Sequence, residues 1–409
     1  MIMSRGLSST LMILVLVVSQ FHLLRNLSDF YYVFIVISFF ISIWLVVSNW
    51  SMLTSNEKSI IILFSLLMLF PIFPMIFQVF LGGYTNISEI FVATSRVMFS
   101  LPIYLSILSV RSDRQQLNVL VLTCVVITLI AALSIPYQII FGPIEWFAES
   151  SERSGMSRYA SLFGSLTALG IVCGFGILIA AISITSPLLF SFVTVGIAVG
   201  SILSLQKAAL VNLAISFVLL PFLLKLRIKN LFFISIFLCV FALSGWALFG
   251  EFVSGYLSSF SFFSGNDSIN SDDYSLIESV HQRLFELPEI AIEHRGLQNL
   301  FFGLGPKGGG GTFGFPEEPM SHNGLIDTLL IGGVLYFLLF LYVLYYHVRL
   351  ILIAKNNVID LRYYYVGLFV IVGVLINIPF SNLVFFSPSG AMFLALATKI
   401  ILACSQKRV

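Results

Sequence analysis

Charge is what this 409-residue chain has least of: 19 acids, 21 strong bases and five histidines leave a charged fraction of only 10%. With 58% hydrophobic residues and a mean hydropathy of +1.02, that scarcity excludes an ordinary soluble domain. Cysteine is scarce as well. Cys124, Cys173, Cys239 and Cys404 all sit in apolar runs, without metal-ligand spacing or a disulfide framework, and read as small buried hydrophobes. No GxxxxGK[ST] and no HExxH occurs, and the short basic loops leave no room for a nucleotide-binding domain. Direct use of ATP, a bound cofactor and a nucleic-acid partner are therefore not expected. No internal repeat is evident, and the first run, Leu7 to Leu24, lacks a signal-peptide cleavage pattern and reads as a first helix.

What the chain does have is apolar length. Stretches of 18 or more residues recur throughout, the pattern of a polytopic helical membrane protein. Helices satisfy their own backbone in lipid, whereas a transmembrane barrel needs shorter alternating segments. The expected fold is all-α, a polytopic transmembrane bundle of about twelve spans. These fall near 7–24, 28–48, 58–80, 91–110, 116–136, 159–180, 188–205, 208–224, 230–250, 324–346, 363–381 and 388–404. They divide the chain into helices one to nine (1–249), a large partly helical loop (250–323) and helices ten to twelve (324–409).

With a cytoplasmic amino terminus, thirteen of the 21 Lys and Arg fall on the cytoplasmic side, among them Lys58, Arg111, Arg114, Arg349, Arg362 and Lys399. Seven fall outside, although that side owns the longest loop. The bias follows the positive-inside rule and puts 250–323 outside, with both termini inside. A second outward segment, 136–158, carries Pro143, Trp146 and Phe147 and reads as partly interfacial.

The long polar interval concentrates what the rest lacks. It holds seven Glu and three Asp against Arg283, Arg295 and Lys307, and three of the five histidines: His281, His294 and His322. Its 255–273 portion is rich in Ser, Gly and Asn and reads as irregular. Residues 274–300 carry apolar positions at helical spacing, with Pro288 as an interior break. Gly303-Leu304-Gly305-Pro306 and Gly308 to Gly311 form a flexible strip leading back to the membrane.

Candidate chemistry lies at the seams. Arg158 is either an interfacial anchor or a guanidinium fork for phosphate oxygens. Lys207, in a tight outward turn, goes against the local charge rule and suits an anionic headgroup, or is simply a polar turn residue. Arg283 and Arg295 are spaced by Glu286, Glu289 and Glu293, a pattern that surface ion pairs also explain. His281 and His294 stand alone among acids, which does not make a metal site. His322 is the sharpest residue. It sits between Ser321 and Asn323, both plausible helix caps, and Asp327 follows just inside an apolar helix, where a carboxylate needs a partner or a cavity. A histidine there can take a proton from a hydroxyl, or can merely cap the helix.

The combination of Gly303-Leu304-Gly305, Ser321-His322-Asn323 and the run from Leu329 to Phe340 around Gly332-Gly333 resembles the signature of bacterial O-antigen polymerases and ligases. Arg158-Tyr159-Ala160-Ser161-Leu162-Phe163-Gly164 resembles the stretch that opens a span after the third periplasmic loop in that family. Where the family carries Ser-Arg in a periplasmic turn, this chain has Gln206-Lys207, keeping the charge and losing the bidentate fork. The resemblance implies an inner-membrane enzyme acting on undecaprenyl-diphosphate-linked glycans at the periplasmic face. It implies that Arg158, Lys207 and Arg295 bind the diphosphate and that Arg283 and His322 are catalytic. Asp327, Asn323, Gly303 and Gly305 are then supporting residues. An inverting, metal-independent transfer with no cofactor is the implied reaction, with a lipid-linked oligosaccharide as both donor and acceptor. Membrane lipids, a chain-length regulator and a flippase are the implied partners. The sibling ligase reaction onto lipid A–core, a flippase or transporter, and a structural subunit are the alternatives. The net acidity of the outer loop leans away from a heavily phosphorylated core as acceptor.

Overall fold

The computed structural model describes residues 5–21, 24, 26–28, 30–81, 83, 87–144, 151–153, 156–164, 168–224, 280–313, 319, 321–355, 360–380 and 386–405. In chain order its helices are α1 (Arg5–Gln20), α2 (Tyr31–Asn49), α3 (Ser55–Leu69), α4 (Ile72–Phe80), α5 (Ile87–Ser109) and α6 (Arg114–Phe141). A short antiparallel hairpin follows, β1 (Ser151–Arg153) with β2 (Met156–Arg158). Then come α7 (Ala168–Ser183), α8 (Pro187–Leu203), α9 (Lys207–Leu224), α10 (Leu287–Arg295), α11 (Asn299–Phe302), α12 (Gly324–Lys355), α13 (Leu361–Asn377) and α14 (Pro388–Ser405).

The protein is a multi-pass, membrane-embedded helical bundle, but not one of about twelve spans. Among the described residues, five helical stretches are long and apolar enough to cross a membrane: Tyr31–Met52, Ser55–Phe80, Glu89–Ser109, Arg114–Phe141 and Gly324–Lys355. The other apolar helical stretches among the described residues run 10–17 residues, short of the roughly 20 that a hydrocarbon core requires. The expected span at 159–180 shows why. Its first residues are not helical, and α7 begins only at Ala168. Gln138 Nε2 donates to Ala160 O at 2.9 Å, and the Leu162 N–H donates to Ser134 Oγ at 3.1 Å, so polar side chains of α6 hold that segment as a loop. Thirteen of the 16 residues of α7 are buried in protein. Its apolar character reflects helix–helix packing, which composition cannot distinguish from lipid contact. The expected span at 230–250, Cys239 and the 255–273 segment lie outside the described residues. Cys124, Cys173 and Cys404 are free and buried.

Two compact units divide the chain. The second comprises the described parts of Gln20–Tyr31 and Asn118–Ser279. In it α7 packs on α9 so closely that a Cβ at Gly174 would lie 2.7 Å from Asn212 O. Asn212 Nδ2 donates to Gly170 O at 2.8 Å. Such small-residue, polar-tied contacts are how helices associate where water supplies no drive.

The first unit comprises the described parts of Met1–Ser19, Tyr32–Leu117 and Val280–Val409. One end is tied by charge. Thr54 caps α3 and forms a reciprocal box with Glu57: the Glu57 N–H donates to Thr54 Oγ1 at 3.3 Å, and the Thr54 N–H to Glu57 Oε2 at 2.8 Å. The other carboxylate oxygen accepts from Lys399 Nζ of α14 at 2.6 Å and from Ser112 Oγ at 2.7 Å. Lys399 also donates to Leu108 O at 3.0 Å. Both charges are buried, at 0% and 2% exposure. Lys399, counted from sequence among the cytoplasmic-face bases, is therefore an interior cation. Tyr346, late in α12, donates to Asn56 at 3.3 Å and joins the same end.

At the other end α12 is broken. Gly333 has φ 70° and ψ −170°, so 324–332 and 334–355 are two helices meeting at a kink. The Leu330 carbonyl freed there accepts from the Leu304 N–H at 2.8 Å. The glycine strip packs into the kink: a Cβ on Gly303 would lie 2.6 Å from Ile331 O, and Gln78 Nε2 donates to Gly303 O at 3.3 Å. The strip expected to be flexible is a close-packed plug, which is how irregular backbone is tolerated at membrane depth.

Candidate functional site

The described part of the polar interval starts at Val280. Residues Gln282–Glu286 form a wide π turn that passes into α10, with Pro288 in the helix's first turn. Proline costs least there, and the widened turn absorbs its missing N–H and its clash with the preceding carbonyl. Pro288 lies inside a helical run that is continuous from 280 to 295, directly after the π turn. His281, exposed, pairs with Glu286 at 3.1 Å on the surface.

Arg295 ends α10 and is buried at 7% exposure. Its Nη2 donates to Pro319 O at 2.5 Å, and its charge acts on Asp327. Ser321 and Asn323 then build the head of α12. Asn323 Oδ1 accepts from the N–H groups of Leu325 at 3.0 Å and Ile326 at 3.4 Å, the capping that an Asn in this position provides. Ser321 Oγ accepts from the Asn323 N–H at 3.1 Å and donates to Asp327 Oδ1 at 2.5 Å. Asp327 is thus bonded by Ser321 and lies within the field of Arg295. Its second oxygen is buried and has no hydrogen-bond partner among the described residues.

Between two buried neighbours, His322 is half-buried, and its φ is 51°. A side chain with a Cβ seldom occupies that left-handed region, and such outliers gather at functional turns. Its imidazole makes no hydrogen bond with a described residue. Burial pushes its pKa down to about 4, and the positive charge of Arg283 adds to the effect. At neutral pH the ring is uncharged and keeps a nitrogen lone pair free. Arg283, on the π turn, is likewise half-buried.

The first unit therefore gathers His322, Arg283, Arg295, Asp327 and Asn323, with Gly303 and Gly305 in the plug beneath the kink. Arg158, half-buried at the end of β2, and Lys207, which opens α9 after the left-handed Leu205, belong to the second unit. Among the described residues no group of three or more His, Cys, Asp or Glu is placed to hold a metal ion. Sequence reasoning missed the Ser321–Asp327 bond, although Ser-x-x-x-x-x-Asp across a helix start is within reach of it. It also missed Glu57, whose Thr54-x-x-Glu57 box was visible. Comparison with family models, with curated proteins and with solved structures finds no match to this chain.

Proposed function

We propose that this chain is an O-antigen polymerase-like glycosyltransferase of a bacterial inner membrane, extending undecaprenyl-diphosphate-linked glycans at the periplasmic face. One observation carries the reading. At the head of a membrane helix, a half-buried imidazole with no described hydrogen-bond partner lies within the field of an arginine. Orientation draws support from charge. Lys58, Arg111, Arg114, Arg349 and Arg362 gather at the Glu57 end of the first unit, which the positive-inside rule assigns to the cytoplasm. His322 then faces the periplasm.

In this reading His322 accepts a hydrogen bond from the acceptor hydroxyl, and that oxygen attacks the anomeric carbon of the donor. The carbon–oxygen bond to the diphosphate breaks on the opposite face, the configuration inverts, and the hydroxyl proton passes to the imidazole. Arg283 stabilises the negative charge that grows on the departing diphosphate, which is stabilisation of the transition state. The two roles are coupled. A diphosphate beside Arg283 offsets the charge that depresses His322, so a bound donor raises the basicity of the group that activates the acceptor.

Deletion of the gene, followed by separation of the cell's lipopolysaccharide, tests the proposal. Core carrying a single repeat unit is the expected product. Core without any repeat unit marks a ligase instead, and an unchanged ladder refutes both.

A further inference from the structure

His322 stands in a backbone conformation that its neighbours impose. On the entering side, Arg295 grips the Pro319 carbonyl. On the leaving side, the Asn323 N–H is held by Ser321 Oγ while the Asn323 side chain caps α12. The Ser321 hydroxyl closes the loop by donating to Asp327, one turn into the helix, and Asp327 lies within the field of Arg295. Ser321, Asn323, Asp327 and Arg295 are all buried, at 0%, 6%, 1% and 7% exposure. The described residues on either side of His322 are thus held by hydrogen bonds, whereas its imidazole is not. A neutral asparagine at 327 would still accept from Ser321 but would lose the negative charge on which Arg295 acts.

We infer that Arg295, Asp327 and Ser321 are positioning residues, which hold Pro319 and the Ser321–Asn323 backbone so that the imidazole of His322 stays half-exposed and unengaged for the acceptor hydroxyl. This assigns Arg295 to the turn and not to the diphosphate, and it rests on the acceptor role of His322 proposed above. A bond chain of this kind acts on turnover more than on donor binding, because small displacements of a reacting group cost rate steeply.

The test uses the full-length protein in detergent, with S321A, S321T, D327N and R295K variants. Turnover is measured on lipid-linked repeat units extracted from the gene-deleted strain. Carbethoxylation of His322 by diethylpyrocarbonate, followed by peptide mass spectrometry, reports the imidazole independently of activity. S321A and D327N are expected to lower kcat by about tenfold or more with KM nearly unchanged, and to alter the His322 modification rate. S321T is expected to restore both, with all thermal midpoints close to wild type. Wild-type kcat and modification in S321A and D327N overturn the inference. So does a loss that follows thermal stability and is not rescued by S321T. A fully active H322A variant would instead overturn the acceptor role, while the modification rates still decide what holds the turn.

Discussion

The two ends of the first unit handle scarce charge in opposite ways. Glu57 and Lys399 themselves are fully engaged, with two cap donors, a hydroxyl, the ammonium and a backbone carbonyl bonded between them and their neighbours. Around His322 the account is left open. One Asp327 oxygen lacks a described hydrogen-bond partner, the imidazole has none, and the backbone is left-handed. Closed polar networks fix a fold, whereas open, strained ones persist where function requires them. The comparison teaches that burial of charge alone does not mark a site in this protein; what sets the His322 end apart is a half-buried imidazole without a described hydrogen-bond partner on a left-handed backbone.

That contrast can be broken most forcefully at Lys399. Replacing it by Met leaves Glu57 buried without its counter-ion and is expected to cost about 3–5 kcal/mol of stability, read as a fall in thermal midpoint in detergent. The paired variant E57Q/K399M keeps the Thr54 capping box and is expected to recover most of the loss. Lipopolysaccharide ladders from whichever variants still fold should keep their pattern. At the open end the effects reverse. H322A is expected to lose roughly 10²–10⁴-fold in polymer formation while staying folded. H322G relieves the left-handed backbone and is expected to gain about 1 kcal/mol of stability while being as inactive. A stabilised but inactive variant would be direct evidence of strain kept for function; a destabilised H322G would argue for a merely structural turn.

A smaller effect comes from pH. The folded pKa of His322 is near 4, below the ordinary value of about 6.5. As pH falls below the ordinary value, the unfolded chain takes up a proton that the folded chain refuses. The His322 contribution to stability is therefore present above that value and is lost progressively down to about pH 4. The slope is expected to vanish in H322A, as measured by thermal midpoint against pH. Least in size, R283A removes a positive neighbour and is expected to move the protonation of His322 upward, by less than burial has moved it down. The pH dependence of His322 carbethoxylation measures this, and an unmoved profile would remove Arg283 from the vicinity assigned to it.

The helical, membrane-embedded character of the chain was legible from its apolar runs, and most of the expected spans coincide in place with a helix. Their number as spans was not. The run ending near Ala180 loses its first residues to bonds from Ser134 and Gln138, and bonds of that kind leave no trace in hydropathy. The flexible reading of 303–311 failed for a related reason. Glycine signals freedom in isolation, but here Gly303 is small because the Ile331 carbonyl comes so close. At the candidate site, the residue types and the head of α12 could be read directly, since capping by Asn323 is a local matter. The burial of Arg295 could not, because its bond to Pro319 spans 24 residues of chain, and nothing in the residue types signals a left-handed backbone at His322. Glu57 and Lys399, separated by 342 positions, are the extreme case.

The most direct measurement of the central claim is a reconstitution. The purified chain is mixed with lipid-linked repeat units, in the absence of any nucleotide, and glycan length and released polyprenyl diphosphate are followed together. The account predicts that the wild-type chain lengthens the glycan and releases one diphosphate carrier per bond formed, and that folded H322A does neither. Equal lengthening by H322A, or no lengthening by a folded wild-type chain, would contradict it.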